Sequence, residues 1–142
     1  MLLFYFSILL TILSNVFYHI FQKLTPTNVN PFLALAVSYG SATLMCLAFL
    51  PFFPPAGGLV VALKQLNWVS VGLAASIVGL ELGFLLAYRA GWNISLAGLV
   101  SNLTVSLLLL PIGLAFFKER LTPVNLIGIV VCIVGLVMVN HK

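Results

Sequence analysis

Five long apolar runs follow one another along this chain, each closed by its own polar or proline-bearing punctuation. A helix that crosses a bilayer needs about 20 mostly apolar residues. The first run covers residues 2–22 and stops at Lys23-Leu24-Thr25-Pro26. It has neither a basic n-region nor a small-x-small cleavage site, so it reads as a span and not as a cleaved signal peptide. The second, 31–53, opens on Asn30-Pro31, an N-cap followed by proline at the first helical position. It ends at Phe53-Pro54-Pro55, and residues 57–66 form a connection with room for a short interfacial helix around Lys64. The third run, 67–89, opens on Asn67-Trp68 and closes on Tyr88-Arg89. The fourth, 93–117, contains Pro111, which removes a helical donor and predicts a kink near Leu107. Thr122-Pro123 repeats the cap-plus-proline start for the fifth, 122–139.

The balance of residue types agrees with this division. Hydrophobic residues make up 63% of the 142 positions and charged residues 6%, against about 25% charged in a soluble domain. So few charges cannot cover a water-facing surface, and the chain reads as an all-α integral membrane protein. The net charge of +4 is spread along the chain and suggests no nucleic-acid partner. Cys46 and Cys132 fall inside apolar stretches and read as small buried hydrophobes, not as a disulfide or metal framework. There is no CxxC, HExxH or Gly-rich phosphate loop, so neither cofactor nor metal is expected. No nucleophile–base pair can be assembled, which argues against an enzyme.

Polar residues inside the runs are few enough to weigh one by one. At 100° per residue, Ser7, Thr11, Ser14, Asn15, Tyr18, His19 and Gln22 share an arc of about 140° on the first helix. Polar groups in a bilayer face a cavity or another helix, because lipid leaves them unpaired. Seven on one stripe exceed what helix association requires, so a cavity lining is expected; interhelical hydrogen bonding alone is the competing account. Tyr39 on the second helix is a further candidate. The fourth helix carries Ser95, Gly98, Asn102 and Ser106 three or four residues apart. Small residues there permit close backbone approach, whereas Asn102 has more donors and acceptors than packing needs and is assigned to the site. On the fifth helix, Asn125, Gly128, Cys132 and Gly135 share a face, and packing within the chain or contact between subunits explains it equally well.

Glu81 stands out most. Only two acidic residues occur in the chain, and this one lies near the middle of the third run. An ionised carboxylate in hydrocarbon costs at least ~2.5 kcal/mol. It therefore stays protonated and hydrogen-bonded, or it alternates between a proton and a cationic or amine-bearing substrate. Arg89, eight residues on, is about 12 Å away along the axis and is no direct partner. Tyr88, seven residues on, shares the Glu81 face. Glu119 lies in the Lys118-Glu119-Arg120 turn and is expected at the membrane edge.

With the spans laid out, a resemblance emerges. "PIGLAFFKERLTPVNLIGIVVCIVGLVMV", residues 111–139, resembles the closing helix pair of an EamA domain: an apolar helix, an acidic turn, Leu-Thr-Pro and a Gly-containing helix. "AYRAGWNISLAGLVSNLTVSLLLLP", residues 87–111, is similar to the preceding pair. EamA domains belong to the drug/metabolite transporter (DMT) superfamily, whose larger members have ten helices in two inverted five-helix halves. The resemblance implies a single EamA-like domain over 1–142, with five transmembrane helices, the size of one half. "GIVVCIVG", residues 128–135, and "LSNVFYHIFQKLT", residues 13–25, resemble the dimerising last helix and the first helix of the small multidrug resistance branch. Asn15 stands where that branch has its functional glutamate, eight residues before Lys23. The resemblance further implies a multi-pass protein of a prokaryotic inner membrane. It would be a secondary transporter of a small metabolite or organic cation, proton-coupled as an antiporter. A flippase subunit for an undecaprenyl-linked aminosugar is the alternative, and a membrane scaffold a third.

Charge placement bears on assembly. With five spans, Lys64, Lys118 and Arg120 fall on one side and Lys23, Arg89 and Lys142 on the other. Lysine and arginine excess marks the cytoplasmic side, and here there is no excess. Such a tie suits insertion in both orientations. An antiparallel homodimer with ten helices, Glu81 and its polar neighbours lining a common midplane cavity, is the expected assembly.

Overall fold

The computed structural model describes residues 2–118 and 121–140, the last by its backbone alone. Glu119, Arg120 and Lys142 therefore lie outside the described residues. Among the described residues six α-helices succeed one another: α1 (Leu2–Leu24), α2 (Pro31–Phe49, continued by a 3-10 turn Leu50–Phe52), α3 (Leu59–Gln65), α4 (Trp68–Arg89), α5 (Ile94–Phe116) and α6 (Pro123–Asn140). Among the described residues, four apolar helices are long enough to cross a bilayer: Leu2–Leu24, Pro31–Phe52, Trp68–Arg89 and Ile94–Phe116. The fifth apolar stretch, Pro123–Val139, is shorter. The short α3 occupies the 57–66 connection.

Local chemistry sets the helix starts. Asn30 Oδ1 accepts from the backbone N–H groups of Phe32 and Leu33 at 2.9 and 3.3 Å, with Pro31 supplying the fixed φ of the first turn. Asn67 Oδ1 accepts from Val69 N at 2.9 Å, and Thr122 Oγ1 from Asn125 N at 3.3 Å. The tight connections rely on glycine. Gly57, Gly58 and Gly91 take φ values of +76°, +86° and +96°, a region that side chains disfavour. α5 runs on through Pro111.

Packing divides the chain into two compact units, Met1–Gly91 and Trp92–Lys142. In the first, α4 is the central helix and touches both α1 and α2. Its core is small: Leu35, Phe84, Leu85 and Tyr88 are buried, with Gln22 the buried polar side chain among the described residues. In the second unit α5 packs on α6. Almost everything else apolar faces outward, as with Leu3 at 78% and Phe32 at 63% exposure. Apolar surface this continuous is incompatible with water and suited to lipid. Cys46 and Cys132, expected to be buried, are exposed. A thiol is apolar enough to face acyl chains, so lipid removes the pressure to enclose it.

Hydroxyls on these helices solve their own hydrogen-bonding problem. Ser7 Oγ donates to Phe4 O at 2.9 Å and Thr11 Oγ1 to Ser7 O at 3.0 Å. Ser38, Thr43, Ser76 and Ser106 each donate to the carbonyl four residues earlier, at 2.8–3.0 Å. Such back-bonding lets a hydroxyl sit in hydrocarbon without a partner helix.

Candidate functional site

Glu81, Phe84, Leu85 and Tyr88 recur at i, i+3, i+4 and i+7 on α4, which places them along one face. Tyr18, His19 and Gln22 meet that face from α1, and Tyr39 approaches from α2. The Tyr88 hydroxyl and His19 Nδ1 are hydrogen-bonded at 2.7 Å. Gln22 Nε2 reaches the Tyr18 hydroxyl at 3.4 Å and the Glu81 backbone carbonyl at 3.5 Å. Both contacts are long; the first lies within α1, and the second bridges α1 to α4 at the level of Glu81.

Aromatic rings make up the wall. Phe84 is their centre, with the His19 ring edge-on at 4.7 Å, the Tyr18 ring edge-on at 5.9 Å and the Tyr88 ring stacked at 6.0 Å. Edge-to-face and offset arrangements follow from the ring quadrupole. Glu81 lies beside this wall, half-buried. Tyr39 is half-buried too; its hydroxyl oxygen is enclosed and makes no hydrogen bond of standard geometry. That hydroxyl is close enough to the Glu81 carboxyl for the two to interact electrostatically, as is the Tyr18 hydroxyl.

The two basic side chains at this end of the unit are engaged elsewhere. Lys23 Nζ donates to the Tyr88 backbone carbonyl at 3.4 Å and stands 5.4 Å from the centre of the Tyr88 ring. A cation at the last carbonyls of a helix also suits the helix dipole. Arg89 donates through one Nη to the carbonyls of Pro26 and Val29 at 3.0 and 2.8 Å. Arg89 therefore fastens the α1–α2 loop and does not neutralise Glu81, in keeping with its distance along the helix.

Of the residues singled out by sequence, the structure thus brings together Tyr18, His19, Tyr39, Glu81 and Tyr88. Asn15 is half-buried on α1, one turn before Tyr18 and His19. Ser7 and Thr11 are exposed and bonded within their own helix, so the α1 stripe is divided between a packed C-terminal part and a self-satisfied N-terminal part. Asn102 stands on α5 in the other unit with its side chain exposed, while the Glu81 cluster is built from Met1–Gly91 alone. Gly128 and Cys132 line a groove of about 290 Å³ between α6 and α5, together with Asn125, Ser106 and Leu103. A Cβ added at Gly128 or Gly135 would meet nothing within 4 Å. Neither glycine is demanded by a close approach inside the chain.

Sequence reasoning missed Phe84 and Lys23 and undervalued Gln22. Phe84 carried one readable signal, its place three residues after Glu81. Lys23 carried none, because its partners lie 65 residues away.

No curated protein and no solved structure matches the chain. A family model does, that of the EamA-like transporter family, over residues 2–141. An apolar helical chain with one carboxylate set among tyrosines inside a span is in keeping with that match. The chain belongs to the EamA-like transporter family, and with it to the drug/metabolite transporter superfamily.

Proposed function

We propose that this membrane transporter is a proton-coupled antiporter for a small metabolite or organic cation, working as an antiparallel homodimer in an inner membrane. Supporting the reading above all is the setting of Glu81. Its carboxyl lies inside a span, beside the Tyr18 and Tyr39 hydroxyls, with both nearby basic side chains held by backbone carbonyls. A carboxyl so placed binds a proton or a cation by turns, which is the exchange an antiporter requires. Asn15, Tyr18, His19, Tyr39, Tyr88 and Asn102 line the path in this proposal, while Gly128, Cys132 and Gly135 contribute to the subunit contact. One five-helix chain is half of a ten-helix transporter, and a second copy in the opposite orientation supplies the inverted repeat.

Uptake into proteoliposomes with and without a pH gradient tests the coupling. Gradient-independent uptake would remove the proton from the mechanism. Orientation has its own test. Two lysines added to the 23–30 loop should drive most copies one way and lower transport, and co-expression with a copy biased the other way should restore it. Normal transport by the single biased variant would reject the antiparallel dimer.

One observation favours a second reading, flipping of an undecaprenyl-linked aminosugar. A groove of about 380 Å³ follows α2 from Tyr39 through Thr43 and Cys46 to Leu50. Apolar walls that start beside Glu81 suit a lipid chain whose amine reaches the carboxylate. Transfer of such a lipid between leaflets, without uptake of water-soluble cations, would establish this reading in place of the first.

A further inference from the structure

We infer that α3 and the residues on either side of it form a membrane-surface anchor, whose apolar face lies in the headgroup–acyl boundary of the bilayer that α4 enters. Such an anchor is independent of the transport reading and of any substrate. No other helix of its own unit packs against α3 among the described residues. Its sequence is LVVALKQ, and at 100° per residue Leu59, Leu63 and Val60 fall within an arc of about 100°. Those three, with Leu66 just beyond the helix, are between 54% and 67% exposed. Val61 is turned the other way, close enough to Gly57 that a Cβ added there would meet the Val61 Cγ1 at 3.4 Å. Gln65 stands opposite the apolar arc and Lys64 on its flank, both exposed.

Water is a poor partner for a face this apolar, and the connectivity brings the bilayer to it. Only Leu66 and Asn67 separate α3 from the start of α4, and two residues extend about 7 Å at most. α3 is therefore confined to the surface at which α4 enters the membrane. Lipid-facing residues flank it on both sides: Phe52 and Phe53 close the α2 span and Trp68 opens α4, all largely exposed. An indole at that level suits the boundary, where it meets acyl chains and water together. Lys64 fits the same level, its stem along the apolar face and its ammonium in water. The positive φ of Gly57 and Gly58 separates α3 from α2 and lets it take its own direction. A helix of seven residues has too little apolar area to hold a bilayer alone. Tethered between two spans, it needs no more, because the tether keeps its effective concentration at the surface high.

Tryptophan quenching tests the anchor on the full chain in nanodiscs of phosphatidylethanolamine and phosphatidylglycerol, where both membrane faces are open to solution. Trp68→Phe with Trp92→Phe removes both native tryptophans. In that background Leu63→Trp reports on the apolar arc and Gln65→Trp on the opposite face. Lipids brominated near the headgroup end of the acyl chain should quench Leu63→Trp at least about twofold more than Gln65→Trp, because the burial is confined to the boundary. Aqueous iodide should show the reverse order. Equal iodide quenching at the two positions would put α3 in water and overturn the inference. Protection of Leu63→Trp from iodide without quenching by the brominated lipid would also overturn it, since protein, another copy included, would then cover the face. Gel filtration and helical circular dichroism establish that the variants fold. Should the tryptophans disturb the helix, Leu63→Cys and Gln65→Cys, each with Cys46→Ala and Cys132→Ala, decide by reaction with a charged maleimide. Residue 65 should then react at least about tenfold faster than residue 63, and equal rates would reject the anchor.

Discussion

The α4 face of the first unit and the α6 face of the second both carry polar residues on apolar helices, yet the two use them differently. On α4, Glu81 and Tyr88 face polar side chains from other helices, and Tyr88 is joined to His19 at 2.7 Å across α1. On α5 and α6, Ser106 bonds back to Asn102 O at 2.8 Å, and Gly128 borders a groove in which an added methyl would meet nothing within 4 Å. Polarity in a span is therefore informative only where it cannot be satisfied inside its own helix. Serine and threonine do that through the carbonyl one turn back; Glu81, His19 and Tyr88 carry their polar atoms beyond the backbone of the preceding turn and meet side chains from other helices.

The sharpest way to break this contrast is Glu81→Gln. Gradient-driven uptake should fall to background while the protein still folds and inserts, and unchanged uptake would make the α4 face as structural as the α6 face. Next comes Arg89→Met, which removes two charge-assisted bonds to the 25–30 loop. We expect a loss of about 2 kcal/mol, read from unfolding by a denaturing detergent, and no loss would mean that the loop is held by other contacts. Gln22→Leu should cost about 1 kcal/mol, since its two bonds are long and the leucine keeps most of the volume. A larger cost would make the α1–α4 bridge to the Glu81 carbonyl stronger than its distance of 3.5 Å indicates. Smallest is Gly128→Ala, expected within about 0.5 kcal/mol of the parent in folding. If that change leaves folding alone but shifts the proposed dimer towards monomer in cross-linking, the α6 face is a subunit contact; if neither moves, it belongs to lipid.

What could be read from the sequence was local. Asn30, Asn67 and Thr122 announced helix starts because a cap is decided within three residues. Glu81 announced itself because a carboxyl inside an apolar run has few innocent explanations. Phe84 did not, since phenylalanine is unremarkable in a span until the rings around it are known. The bonds joining Gln22, Lys23 and Arg89 to their partners link residues about 60 apart. Such pairings depend on where α1 crosses α4, which no periodicity in either helix specifies. The α1 stripe was read as longer than it is, because Ser7 and Thr11 looked polar while their own carbonyls had already answered them. The exposed cysteines show the same limit from the other side: without water outside, hydrophobicity no longer says which way a side chain points.

The attachment of Arg89 to the Pro26 and Val29 carbonyls has a mechanical side. It bolts the C-terminal ends of α1 and α4 to one loop, just beyond the Lys23–Tyr88 contact. At the other end of α1 nothing comparable among the described residues grips the helix, and Leu2, Leu3 and Phe4 are 88%, 78% and 72% exposed. Among the described residues, the hydrogen bonds between α1 and α4 all fall between Glu81 and Arg89, so the hold on α1 is a clasp at one end, and a load on its N-terminal part is borne there.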